Sequence, residues 1–347
     1  MVPLLFSICA TAQSVAALQA LEQAAGLVID PAHVRARELL LLVETSREHL
    51  MRLLLNGSAG LLVPADLDAA TLSLLGQMRH AWLQALYPQG DGLRPGAGQL
   101  APDRAGLRRL LQGLEQVLQR LLGLSPGDWL QLRSLADVQA WMGAGSAPAQ
   151  SLCRQLEQLG LAGLGASPLA PLPPLPDDLL LELLQAEDAA EFVRAPLWQG
   201  QPRETGALQR QLGRPLQTAL LQLYGSGLLS RHLARLAELA EALGRMTELV
   251  NEIGPASPCP QPLRPSGQGL AQVEAARGRL VHGLRLERGL IVDYRILAPT
   301  EWNFHPQGVL AQGLMGLPAD LRLPQLAQML VDALDPCVQA QVSVLDA

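Results

Sequence analysis

Residues 273–303 read VEAARGRLVHGLRLERGLIVDYRILAPTEWN, and they interrupt a chain whose pattern is otherwise helical. From Arg279 to Glu287 and from Leu290 to Leu297 the residues alternate, with Leu280, His282, Leu284 and Leu286 on one face. Alternation of this kind marks a half-buried strand, and Arg288-Gly289 between the two runs supplies a tight turn. A β-hairpin is predicted here. On the N-terminal side, helix signals dominate. Asp30 can cap free N–H groups and Pro31 suits the first helical position, so a helix is predicted to run to about Leu55 and to stop at Asn56-Gly57. Ser125-Pro126 opens another by the same logic. Residues 206–223 and 228–250 read as two more, the second with Leu233, Leu236, Leu239, Ala240 and Leu243 on one face. The fold class expected is mainly α, a helical bundle with a small β-hairpin.

Three stretches rich in Pro and Gly read as loops: residues 88–103, 165–177 and 254–268. The middle one has PxxP spacing, which suits a stiff linker better than a groove-binding ligand. No internal repeat is visible. The chain is read as a single domain over 1–347, with a helical core at 1–250, a Pro-rich connector at 254–268 and a hairpin and C-terminal site segment at 272–347.

Composition narrows the function classes. Of 347 residues, 49% are hydrophobic and 17% charged, which excludes a disordered chain and permits a large core. Aromatics are 3%, so Leu and Ala must fill that core. All 26 basic residues are Arg, and without a Lys there is no P-loop of the nucleotide-binding type. A net charge of −6 without a basic block argues against nucleic acid. Helices 206–223 and 228–250 could imitate a helix-turn-helix, but their Leu/Ala content fits a packed pair. The apolar start of the chain lacks the preceding positive charge of a signal peptide, and no apolar run is long enough for a membrane span. Cys9, Cys153, Cys259 and Cys337 are too scattered for a disulfide framework, which points to reduced thiols and a cytoplasmic protein. Histidines 33, 49, 80, 232, 282 and 305 never fall at i, i+4, and HExxH, CxxC and GxSxG are absent. Cys153 and Cys259 read as structural.

Against this background residues 273–303 resemble a segment of the nickel-iron hydrogenase large subunit, in which E-A-P-R-G leads through a hairpin into P-[ST]-x-W-N. Asp335-Pro336-Cys337 resembles the start of that family's D-P-C-x-x-C-x-x-H motif, and Cys9 with the Ala/Leu helix after it resembles the C-G-x-C segment. The likeness is strong over about 272–343 and weaker over about 6–28. It implies a reduced large-subunit-like fold that brings the two ends of the chain together.

The departures carry the functional expectation. In catalytic members each end supplies two thiolates, one on nickel alone and one bridging nickel and iron. Here Cys9 and Cys337 match the nickel-only ligands, while the bridging positions match Ala12 and Ala340. The family's further His positions match Ala16 and Ser343, and its Arg before the first pair matches Ser7. A bridged bimetallic centre cannot form on two cysteines and two alanines, so the chain is expected not to be an enzyme and not to hold nickel. The residues matching the iron's diatomic ligands survive, however: Arg277, and Thr300 after Pro299. A guanidinium and a hydroxyl are suitable donors to an anionic cyanide nitrogen. This pattern resembles the HupK/HoxV-type hydrogenase accessory proteins. The resemblance implies a non-catalytic scaffold for assembly or transfer of the Fe(CN)2(CO) unit, with Cys9 and Cys337 as metal ligands and Arg277, Pro299 and Thr300 around the fragment. The partners implied are a HypC-type chaperone, a HypD-type iron-handling protein and the hydrogenase large-subunit precursor. Two alternatives stay open. One is a metal-free interaction or chaperone module for the precursor. The other is a decayed large subunit, in which Arg277, Pro299 and Asn303 merely tie the hairpin to the C-terminus. The scaffold reading requires the sulfurs of Cys9 and Cys337 to lie about 4 Å apart, given metal–sulfur bonds near 2.3 Å.

Overall fold

The computed structural model describes residues 8–55, 68–168, 170–259, 263–338 and 340–343. Ser7, the stop signal at Asn56-Gly57, and Pro260 and Pro262 of the connector lie outside them. Long helices α1 (Ala10–Ala24), α2 (Pro31–Leu55), α3 (Ala69–Leu86), α4 (Arg104–Leu122) and α5 (Leu228–Glu252) form the body. Shorter helices between α4 and α5 close its sides. A three-stranded sheet follows, made of β1 (Gly267–Ala275), β2 (Gly278–Glu287) and β3 (Leu290–Leu297). The chain ends with α6 (Pro299–Asn303), a short helix at Val309–Met315 and α7 (Leu323–Leu334).

Local chemistry explains these boundaries. Asp30 Oδ1 accepts from the Ala32 N–H at 2.7 Å, so α2 starts where Asp-Pro predicts. Asp103 caps α4 through the Gly106 N–H at 2.9 Å, and Gly123 ends it at φ +75°. Between them Leu107, Leu111, Leu114, Leu118 and Leu121 bury one face. Ser125 caps as expected, but the helix it opens is a single turn, Pro126–Trp129. The helix expected at 206–223 is broken instead into Ala207–Arg210 and Pro215–Tyr224. Gly213 stands at φ +95° between the pieces, and Pro215 can start a helix but not continue one.

The largest core cluster is built from α2 to α5, mostly of Leu, with Trp82, Trp129 and Trp141 as its bulky members. Cys153 is fully buried in it, consistent with a structural thiol, and burial pushes that thiol up to about 12. Leu172 and Leu175, in the PxxP stretch, pack into a second cluster with Val281 and Trp302, so this loop is part of the body.

The sheet order is β1-β2-β3, antiparallel throughout. The predicted hairpin is β2–β3, closed by Arg288 and Gly289 at φ +53° and +78°, the pair of positive φ values that a tight two-residue hairpin demands. Strand β1 corrects the sequence reading. It begins inside the stretch taken as connector and creates a second hairpin, whose two-residue turn is Ala276-Arg277. Helix α1 lies directly on this sheet. A Cβ added at Gly269 would stand 1.9 Å from the Ala20 carbonyl oxygen, and one at Gly267 2.1 Å from that of Ala24. Two glycines on the strand and an alanine-rich helix thus allow backbone-to-backbone approach.

His282 joins the same layers. Its Nε2 lies 2.9 Å from Gln13 Oε1 on α1 and its Nδ1 2.6 Å from the Tyr294 hydroxyl on β3. An Nε2–H tautomer, donating to Gln13 and accepting from Tyr294, satisfies all three groups. Burial pulls His282 down to about 4, and burial with neighbouring guanidiniums pulls His232 down to about 3. Both rings stay neutral in the fold at pH values where the unfolded chain protonates them. Their contribution is present above pH 6.5 and is lost as pH falls from there toward 4. Denaturant midpoints measured across that window should drop, with a slope of up to about 1.4 kcal/mol per pH unit for each ring. His282→Gln should flatten part of the slope; a stability that stays level down to pH 4 contradicts this account.

Candidate metal-fragment site

The site forms where four elements meet: the N-terminus of α1, the middle of α2, the Ala276-Arg277 turn and the segment after α7. Cys9 precedes α1, and its carbonyl accepts the Gln13 N–H at 2.9 Å. Glu44 on α2 fixes this end of α1, since its carboxylate accepts from the Thr11 N–H at 2.6 Å and the Ala12 N–H at 2.9 Å. A carboxylate there satisfies free helix donors and complements the dipole. Burial nevertheless pushes the Glu44 carboxyl up, against the pull of those two bonds.

At the other end Asp335 terminates α7 in a left-handed conformation, φ +54°, which turns the chain toward the site. Its buried carboxylate is held by Arg52, and by Arg277 Nη2 at 3.3 Å. Burial would raise it, but the guanidiniums of Arg277, Arg52 and Arg235 outweigh that and hold it below the usual carboxylate range. Two residues on, Cys337 donates its backbone N–H to Thr300 Oγ1 at 3.3 Å. Pro299 is the buried first residue of α6 and sets where Thr300 stands.

The two sulfurs are 3.8 Å apart although 328 positions separate them. Arg277 donates from Nη1 to Cys9 Sγ at 3.1 Å and from Nη2 to Glu48 at 3.0 Å. Its carbonyl is held in turn by Asn303 Nδ2 at 3.3 Å, and Asn303 also exchanges two hydrogen bonds with the backbone of Thr205. Asn303 therefore ties the hairpin turn to the segment before α5.

The two thiols titrate as one unit. The sulfur–sulfur hydrogen bond, together with Arg277 and Thr300, eases loss of the first proton from the pair in spite of burial. The same contact, with burial, holds the second proton well above the usual thiol range. Two metal–sulfur bonds of about 2.3 Å span about 3.3 Å at a right angle and about 3.8 Å at a tetrahedral one, so sulfurs 3.8 Å apart can share one ion with at most a small approach. Among the described residues no group of three or more His, Cys, Asp and Glu side chains is arranged to hold a metal.

The structure brings together Cys9, Cys337, Arg277 and Thr300 and places Pro299 one residue behind them. Cys259 lies elsewhere, its sulfur 3.5 Å from the Val28 carbonyl. Sequence reasoning missed the carboxylates. Glu44 and Glu48 recur with Arg52 every four residues along α2, a spacing that sets all three in one stripe. That stripe was the available signal.

Among the described residues no helix is long and apolar enough to cross a membrane. The nickel-dependent hydrogenase family profile matches residues 171–342. The hydrogenase expression/formation protein HupK of Azotobacter vinelandii is 32% identical over 351 residues, 99% of this chain and 86% of that protein. The corresponding HoxV of Cupriavidus necator is 32% identical over 372 residues, covering 100% and 87%. In structure, a chain of the Ni-Fe-Se hydrogenase from D. vulgaris Hildenborough superposes with a TM-score of 0.69 over 96% of this chain and 87% of its own, at 18% identity. The likeness thus spans nearly the whole chain, not only its ends, and the helical body with its small sheet is that of the hydrogenase fold. The chain belongs to the HupK/HoxV-type family of hydrogenase expression/formation proteins, related to the nickel-dependent hydrogenases.

Proposed function

We propose that this protein is a non-catalytic accessory protein of nickel-iron hydrogenase maturation, and that it holds the Fe(CN)2(CO) unit during assembly or transfer. The relatives named for hydrogenase expression and formation support the accessory role. The observation that carries the finer reading is the thiol pair, 3.8 Å apart, with a buried guanidinium against one sulfur and a threonine hydroxyl beside the other. Two protein ligands are too few for a bare ion. An iron that brings three diatomic ligands of its own needs only two more sulfurs to become five-coordinate. Soft thiolates suit low-spin iron, and the sulfur–sulfur contact with Arg277 and Thr300 eases loss of the pair's first proton. The Arg277 guanidinium against Cys9 and the Thr300 hydroxyl beside Cys337 are the donors this reading assigns to cyanide nitrogens, with Arg277 giving up part of its present bonding to do so. Ala12 and Ala340 stand where bridging thiolates would be needed for a second metal, which argues against nickel chemistry and against hydrogen turnover. A HypC-type chaperone, a HypD-type protein and the hydrogenase precursor are the partners this role requires.

Infrared spectroscopy of protein purified anaerobically from a strain making the maturation machinery tests this. Cyanide and carbonyl stretches are expected in the natural protein and should vanish in Cys9→Ala and Cys337→Ala. Bands that persist in both variants reject the site. Copurification with the chaperone that survives both substitutions, with no bands in any form, establishes the metal-free interaction module instead.

A further inference from the structure

Behind Arg277, on the side away from the thiols, the first turns of α5 place two more arginines in the interior. Arg231 and Arg235 are four residues apart and share one face of that helix. With Arg277 they line a cavity of about 20 Å³, whose walls also include Glu204, the partner of Arg231, with Thr205, Asn303 and Leu334. All three arginines are more than nine-tenths buried. We propose that this cavity is a binding site for a small monovalent anion of halide size.

Donor arithmetic is the first argument. Arg231 gives Nη2 to both oxygens of Glu204, at 2.9 and 3.0 Å. Arg235 gives Nη2 to the Ala333 carbonyl at 2.5 Å. Arg277 spends both terminal nitrogens on Cys9, Glu48 and Asp335. Arg231 Nε, Arg235 Nη1 and Arg277 Nε are left with no partner in the protein. A buried donor without an acceptor is costly, and native interiors rarely tolerate one. A water accepts about two hydrogen bonds, whereas an anion accepts three or more. Asn303 cannot serve as acceptor, since its Oδ1 is taken by the Thr205 N–H.

Charge is the second argument. Four guanidiniums, Arg52, Arg231, Arg235 and Arg277, stand among four carboxylates, Glu48, Glu204, Asp332 and Asp335. Arg231 pairs with Glu204, Arg52 with Asp332 and Asp335, and Arg277 with Glu48 and Asp335. Among the described residues no carboxylate lies within ion-pair distance of Arg235. Burial, with Arg52, Arg231 and Arg277 nearby, draws it down to about 10 even though Asp335 opposes this. An anion in contact with Nη1 supplies the direct counter-charge that no carboxylate gives Arg235, in a region of low dielectric. Size sets the class. A cavity of about 10–15 Å³ by this measure holds one water, so about 20 Å³ admits a one- or two-atom anion and excludes phosphate or a carboxylate.

The site stands whether or not the thiols bind iron, and its test does not use them. Protein crystallised or soaked in sodium bromide should show an anomalous peak in the cavity, in contact with the three guanidiniums. A cavity holding only water under those conditions overturns the proposal. In solution the thermal midpoint should rise by about 2 °C in bromide at ten times its Kd, relative to gluconate at equal ionic strength. Arg235→Met should abolish that difference; an undiminished rise in the variant also overturns the proposal, and the bromide crystal decides if the variant does not fold.

Discussion

Arg277→Gln is expected to cost about 3 kcal/mol of folding stability and to disable the thiol pair at the same time. The guanidinium is the single cation touching a sulfur, a carboxylate on α2 and the carboxylate that ends α7. Removing one partner of a buried pair usually costs about 3–5 kcal/mol, because the other charge is left without compensation. The lower end applies here. Arg52 still holds Asp335, and Arg47 still holds Glu48. The effect on the thiols has a definite sign. A positive charge that favours thiolate is gone while Asp335 remains, so the first proton leaves less readily than in the natural protein. Alkylation of Cys337 at neutral pH should slow, since only the thiolate reacts. Arg277→Lys should recover much of the stability, but it restores one point charge where the site uses a fork, so the cyanide-facing donors return only in part. Equilibrium unfolding together with the alkylation rate reads both effects. A variant as stable and as reactive as the natural protein removes Arg277 from the centre of this account.

What the sequence made legible follows the range of the interactions involved. Asp30-Pro31 and Arg288-Gly289 announce a helix start and a hairpin turn because capping and positive φ are settled within three or four residues. Strand β1 was hidden for the opposite reason. Gly267 falls in the stretch read as connector and Gly269 just beyond it, and only their contact with the carbonyls of Ala24 and Ala20 explains why a strand keeps them. The break at Gly213 was likewise masked by an apolar pattern that runs straight across it. At the site, no local signal joins Cys9 to Cys337 over 328 positions. Their pairing was legible only through the two end motifs of the hydrogenase large subunit. The second layer was legible in kind but not in partnership. Four-residue spacing aligns Glu44, Glu48 and Arg52 on one stripe, yet nothing local says that the first caps α1, the second meets Arg277 and the third meets Asp335. Those assignments exist only once the helix, the hairpin turn and the C-terminal segment are assembled.

Gly269→Ala puts that assembly to the test, and a single methyl group should suffice. The added Cβ would lie 1.9 Å from the Ala20 carbonyl oxygen and 2.8 Å from the Ala24 amide nitrogen, both of them helix backbone that cannot rotate aside. Helix α1 must therefore shift off the sheet. Overpacking of this kind costs about 1–3 kcal/mol, and a clash with the backbone of a largely buried helix belongs at the upper end. Gly244, on the exposed side of α5, is the control. A Cβ there meets nothing within 4 Å, so Gly244→Ala should stabilise by up to about 1 kcal/mol through helix propensity. The shift has a consequence at the far end of α1. Cys9 rides on that helix, whereas Cys337 is anchored to Thr300 and follows α7. In the natural protein a mild diamide treatment should oxidise the two thiols to one disulfide while diamide is reduced to its hydrazine, because sulfurs already 3.8 Å apart need only a small approach. In Gly269→Ala the yield of that crosslink should fall sharply under conditions where the variant is still folded, and in Gly244→Ala it should not change. Equal crosslinking in all three proteins would mean that the glycine contact between α1 and β1 does not set the distance between the thiols.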